Sequence, residues 1–313
     1  MLLSICIPTY NRAEYLHNAI ESITAQPEWE SGAVEIVISD NGSTDDTPEV
    51  IANLQKRYGT ERIRSRHLDT PIDTHDNFTS ALNLGQGRML KLQNDTCCWQ
   101  PGALAQLLAI IEGCQTLPDL LLTPNHSEIT KVQRCDSMDD VVKNVSYYLT
   151  WIGTLGISRK TWENIDDPMR CRDLKLPQVE LVARVMASGG TALCCEGKFF
   201  QVQEIGHRVG YQVAEVFCRN YFSILMPYIS REVMEKEKRR LLNEYLIRRH
   251  FDFFKEFNTA KQTGYWQNTA VYHRNFYFYL SFAKVAVLRI ISWIFTHDEL
   301  RKIKNFLQRK NRS

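Results

Sequence analysis

Apolar and polar positions alternate in two rhythms over the first 115 residues. "LLSICIPTY" is a continuous apolar run, as expected for a strand covered on both faces. It is followed by "AEYLHNAIESITAQ", in which Tyr15, Leu16, Ala19, Ile20 and Ile23 recur at helical spacing. The exchange then repeats. "VEIVISD", "IRSRHLD" and "RMLKLQND" read as strands, and "STDDTPEVIANLQKRY", "THDNFTSALNLGQG" and "PGALAQLLAIIEG" as helices. Ser43 or Thr44 is placed to cap the second helix, while Pro101 opens the fourth and Gly113 closes it. This alternation predicts an α/β fold with a mostly parallel, doubly wound, Rossmann-like sheet flanked by helices.

Further along, the pattern is less regular. "WIGTLGISRKTW" reads as a strand with a turn, "PQVELVARVMASGG" as a helix and "TALCCEGKFFQVQ" as a strand. From about residue 211 the chain is helical and aromatic-rich, with one long amphipathic stretch, "REVMEKEKRRLLNEYLIRRHFDFFKEF". The expected division is therefore a domain over residues 1–210 and a helical, basic C-terminal extension over residues 211–313.

Charge sharpens that division. The formal net charge is only +2, yet residues 231–313 carry 18 Lys and Arg against 8 Asp and Glu, a net of +10. The rest of the chain balances at −8. No apolar run reaches the roughly 18 to 20 residues needed to cross a bilayer. "FYFYLSFAKVAVLRIISWIF" comes nearest, but contains Lys284 and Arg289. The extension is thus expected either to lie on an anionic membrane surface or to form a packed cap or subunit contact. Nine cysteines without a C-x-x-C spacing predict reduced thiols in a cytoplasmic protein. "MLLSICIPTYNR" has no basic region before its apolar residues and reads as a strand rather than a signal peptide.

The polar residues of interest fall where strands end, at the rim where α/β proteins keep their ligands. The first strand ends in "PTYNR": Pro8 stiffens the turn, and Thr9 and Tyr10 follow it. The second ends in "SDNGSTDD", with Asp40 and Asn41 able to hydrogen-bond a flat heterocycle and Gly42 permitting close backbone approach. The fourth ends in "LKLQNDTCCWQPG", where Asp95 is either a turn residue or a metal ligand.

Together, "ICIPTYNRAEYLHNAIESI", "EIVISDNGSTDDT", "ALNLGQGRMLKLQND" and "PGAL" resemble glycosyltransferase family 2, of the GT-A fold, in order and spacing. The resemblance covers roughly residues 2–115, continues weakly to about 210, and is strongest with bacterial enzymes of O-antigen, capsule and other surface polysaccharides. It implies a nucleoside-diphosphate sugar donor bound by Pro8, Thr9, Tyr10, Asp40, Asn41, Asn94 and Asp95, with a glycan or lipid-linked glycan as acceptor. Gln93, Asn94 and Asp95 stand where relatives carry D-x-D, so Asp95 alone would supply a carboxylate to Mn²⁺ or Mg²⁺. Arg184 and Gly189 match a family R-x-x-x-x-G element, which puts Gln178 where relatives have the catalytic aspartate. Gln takes no proton. Glu180 is the nearest carboxylate, with Asp166, Asp167 and Asp173 further upstream. His207 and Arg208 are candidates for the diphosphate, and Trp151 either stacks on an acceptor sugar or packs in the core.

The missing acids leave a second class of function open, a non-catalytic nucleotide-sugar-binding scaffold. "PTYNRAEY" lacks the Gly-rich first loop of a nucleotidyltransferase. A homo-oligomer and attachment to the inner face of the cytoplasmic membrane are the further partnerships expected; nucleic acid is not among them.

Overall fold

The structure, a computed structural model, describes residues 1–127, 131–204 and 215–241. His207, Arg208 and the apolar segment 276–295 lie outside the described residues. The chain forms two units, Met1–Ile205 with Ile224–Ser230, and Gly206–Ser223 with Arg231–Ser313.

The first unit opens with the strand-helix repeats read from the sequence: β1 (Leu3–Thr9), α1 (Ala13–Thr24), β2 (Val34–Asp40), α2 (Thr47–Tyr58), β3 (Ile63–His67), α3 (Thr74–Leu84) and β4 (Met89–Leu92). Next come β5 (Cys97–Trp99), α4 (Ala103–Glu112), β6 (Leu120–Leu122), β7 (Lys131–Cys135) and α5 (Met138–Val145). The unit continues with β8 (Gly156–Ser158), α6 (Arg159–Glu163), α7 (Pro177–Ala187), β9 (Ala192–Glu196) and β10 (Phe200–Val202). Eight strands form one sheet in the order β3-β2-β1-β4-β8-β6-β9-β7. β1 is parallel to β2 and β4, β2 to β3 and β6 to β9, while β8 and β7 run against their neighbours. β5 and β10 pair separately, antiparallel.

Every residue of β1 and β2 is buried, which explains their unbroken apolar runs. α1 turns Leu16, Ala19, Ile20 and Ile23 into the core. Two buried charges also shape the sheet. Glu35 in β2 accepts from Ser4 Oγ at 2.6 Å and from the Gln86 and Gly87 N–H groups at 2.6 and 3.1 Å, fastening the turn before β4. Lys91 in β4 donates to the carbonyls of Leu92, at 3.0 Å, and Gly153, and burial pushes its amine down to about 7.

Three local expectations are corrected. α2 begins after Asp46 without a side-chain cap; Ser43 Oγ instead accepts from the Asn11 N–H at 2.8 Å. "WIGTLGISRKTW" is a 3₁₀ turn, then β8, then α6, because Ser158 Oγ accepts from the Thr161 N–H and starts a helix there. "TALCCEGKFFQVQ" is split at Gly197 between β9 and β10, which lie in different sheets. In the second unit, helix Arg231–Arg240 places Glu237 against Tyr221, whose hydroxyl donates at 3.1 Å. No helix among the described residues is long and apolar enough to cross a membrane.

Candidate active site

Parallel register brings the ends of β1, β2, β3 and β4 to one rim. Pro8 lies opposite Ser39, Thr9 opposite Asp40, and Asp40 opposite His67. The β1–α1 and β2–α2 loops are laced together. Asn11, at φ 51°, gives its side-chain oxygen to the Thr44 N–H at 2.8 Å, Thr47 Oγ1 accepts from the Arg12 N–H, and Asp45 accepts from the Ala13 N–H. Asn77 of α3 supports the rim from behind, accepting from Ser39 Oγ at 2.7 Å and donating to the Ser39 carbonyl.

Thr9 and Asp95 meet at this rim. Thr9 Oγ1 donates to Asp95 Oδ2 at 2.9 Å. Burial lifts the Asp95 carboxyl from its ordinary 3.8 to about 6, although the Arg12 guanidinium and the Thr9 hydroxyl oppose the rise. Asn94 beside it holds a buried side-chain oxygen with no protein partner. Gln93 faces the other way. It is buried, accepts from Trp99 Nε1 at 2.6 Å and donates to the Cys97 carbonyl at 2.9 Å. A carboxylate at position 93 would lose that donor, which is a structural reason for the absent first acid.

The donor set suits a hard divalent cation. Asp95 offers a carboxylate that is unfavourable to leave uncompensated, and Asn94 an unpartnered amide oxygen. The described residues contain no cluster of three or more His, Cys, Asp or Glu side chains that could hold a metal unaided. Phosphate oxygens and water would have to complete the shell.

Asp40 and Asn41 reach the rim but are already engaged. Asp40 is fully buried, accepting from the Ser43 N–H at 3.0 Å and bonding His67 Nδ1 at 2.8 Å. Asn41 grips the Ile72 backbone with both ends of its amide, at 2.8 and 2.9 Å. Tyr10 is exposed. Trp151 is partly buried and meets Phe200 edge-on at 5.7 Å, so it belongs to the border of the core.

Glu180 lies near the start of α7, where two arginines and a tyrosine engage it. It is not a solvated helix glutamate. It is buried in α7, its oxygens take Arg170 Nη2 and Arg184 Nη2, each at 3.1 Å, and Tyr228 donates at 3.3 Å. Both arginines line a cavity of about 730 Å³ at the opposite edge of the sheet, where β6 and β9 begin, together with Asp119, Asp166, Asp167 and Gly190. Asp166 and Asp167 thus belong to that edge too. Gln178, at the start of α7, donates to the Thr150 carbonyl at 2.7 Å, and its own oxygen is buried without a partner. Asp173 is exposed on a 3₁₀ turn, and the neighbouring Arg172 bonds Asp76 of α3 at 2.6 Å, which draws that turn toward the rim. Sequence reasoning missed His67 and Arg12. The signal for His67 was a polar ring closing the third strand beside an aspartate that closes the second.

The sheet order and polar rim define an α/β fold of the GT-A kind. Residues 4–116 match the model of glycosyl transferase family 2. Abequosyltransferase RfbV of Salmonella typhimurium is 34% identical over 158 residues, 49% of this chain and 42% of the relative. A GalNAc(5)-diNAcBac-PP-undecaprenol beta-1,3-glucosyltransferase of Campylobacter jejuni is 46% identical over 107 residues, 34% of this chain and 33% of the relative. The match thus spans less than half the length of these curated relatives. Among solved structures, S. aureus TarS 1-349 in complex with UDP-GlcNAc shares the fold at a TM-score of 0.58 and 13% identity, covering 99% of this chain and 92% of that one. A mannosyltransferase of Pyrobaculum calidifontis with GDP-Man and Mn²⁺ does so at 0.53 and 14%, covering 97% and 83%.

Proposed function

We propose that this chain transfers a hexosyl or deoxyhexosyl group from a nucleoside-diphosphate sugar to a glycan or lipid-linked glycan, in the synthesis of a bacterial surface polysaccharide. The observation that carries the reading is the contact of Thr9 with Asp95, a half-buried carboxyl just past the end of the strand beside β1. The names of the relatives support it, and neighbours of the same fold are known with UDP-GlcNAc and with GDP-Man and Mn²⁺.

In this reading Asp95 and Asn94 hold Mn²⁺ or Mg²⁺, which when bound neutralises the leaving diphosphate. Thr9 fixes the orientation of the Asp95 carboxylate, and Arg12 adds positive charge where the phosphates lie. Asp173 takes the proton of the attacking acceptor hydroxyl, since it is exposed on the turn held at the rim by the Arg172–Asp76 pair. The direct test is release of nucleoside diphosphate from UDP-, GDP- and CDP-sugars, with and without Mn²⁺. Slow Mn²⁺-dependent release from one of them is the expected result. Binding without turnover in the presence of any acceptor would make the protein a scaffold, and no binding would remove the donor site altogether.

The basic region 231–313, at a net +10, is assigned to an anionic membrane surface, where the lipid-linked acceptor resides. Co-flotation with vesicles containing anionic lipid at low salt, lost at high salt, is expected. Protein that stays at the bottom of the gradient at every salt concentration would leave this region to a subunit contact or a packed cap.

A further inference from the structure

We propose that His67 reads the base of the donor nucleotide, with Asp40 as the residue that positions its ring. The inference rests on the transferase reading above and names a specificity-determining side chain within it.

The two side chains expected to meet a base are committed inside the protein. Asp40 is fully buried, and each of its oxygens is used, one by the Ser43 N–H and the other by His67 Nδ1. Asn41 spends its amide on both polar groups of the Ile72 backbone. The loop after β3 is held on the same residues, through the Leu68 N–H to the Asp40 carbonyl at 3.0 Å.

His67 is the anchored side chain that still faces outward. It ends β3 directly opposite Asp40 in the parallel register, and its side chain is 48% exposed. The 2.8 Å contact with a carboxylate oxygen requires Nδ1 to carry the proton and donate. In the neutral ring Nε2 is then an acceptor at the rim. The edge of a nucleobase offers the complement, a ring N–H in uracil or guanine or an exocyclic amino group in cytosine. The carboxylate thus acts at one remove: it fixes tautomer and ring plane, as carboxylates do behind metal-bound histidines.

The test is calorimetric binding of UDP, GDP, CDP and inorganic pyrophosphate in Mn²⁺. Wild type should bind one nucleotide far more tightly than pyrophosphate. His67→Ala should weaken that nucleotide by at least about tenfold, the loss of one well-made hydrogen bond, and leave pyrophosphate unchanged. Asp40→Asn separates positioning from mere structure. An amide N–H facing Nδ1 moves the ring proton to Nε2, so the ranking of the three nucleotides should change while the melting temperature holds. Equal affinity in wild type and His67→Ala overturns the proposal alone, as does a parallel loss of pyrophosphate binding. Failure of wild type to bind any of the three nucleotides overturns the transferase reading and this proposal with it.

Discussion

Asp95→Asn is expected to lose at least about a hundredfold in sugar-donor turnover and to melt higher than wild type at pH 8. The two effects share one cause. Burial raises the Asp95 carboxyl from 3.8 to about 6, so the fold prefers the neutral form. The stabilisation due to this group is complete below pH 3.8, and it is lost as the pH rises through about 6. Above that, the ionised carboxyl burdens the folded state by about 3 kcal/mol. Asparagine removes the charge and keeps an acceptor for Thr9, which should raise the melting temperature by roughly 6 to 12 °C. Mn²⁺ requires the ionised form, so it should stabilise wild type more at pH 7.5 than at pH 5 and leave the variant unmoved. Melting curves across pH, with and without Mn²⁺, read all of this. A variant that melts lower at pH 8 would make Asp95 a turn residue, and full turnover would take the cation site out of the reaction.

Glu180→Ala is expected to act on stability instead. It leaves Arg184, which is 16% exposed, without its carboxylate, and Arg170 loses the same partner. Breaking a buried ion pair from one side costs about 3 kcal/mol or more, a drop of roughly 6 to 12 °C in melting temperature for a unit of this size. Turnover per folded molecule at low temperature should stay within a few fold. Asp173→Asn should show the reverse, with turnover lost and melting unchanged. A large loss of turnover in Glu180→Ala at an unchanged melting temperature would make Glu180 the base in place of Asp173.

The contrast between these two glutamate and aspartate sites shows what the sequence can carry. β1 through β4 and their helices were legible because each run has one dominant period and a polar end. β7 was not, since "KVQRC" is an exposed edge strand with neither alternation nor an apolar run. Asp95 was legible as a lone carboxyl after an apolar strand. Its raised proton affinity was not, because that depends on the depth of the turn, which the placement of Arg12 offsets only in part. Gln93 read as a lost ligand, whereas it is a buried bridge between Trp99 and Cys97. For Glu180, periodicity gave the helix face, but its partner Arg170 comes from a loop outside that helix, and no spacing rule reaches across such a gap.

The lacing of the first two loops bears on how a donor would be captured. The side chains of Asn11, Ser43, Asp45 and Thr47 accept from the backbone N–H groups of Thr44, Asn11, Ala13 and Arg12 across the rim, with Asn11 held in the left-handed region. The conformational entropy of these loops is therefore surrendered when the chain folds, not when the ligand arrives. Amide protons of Asn11, Arg12 and Thr44 should exchange slowly in the empty protein. Donor association should show little loop ordering in its entropy, and its rate should be set by encounter, with no slower closing step.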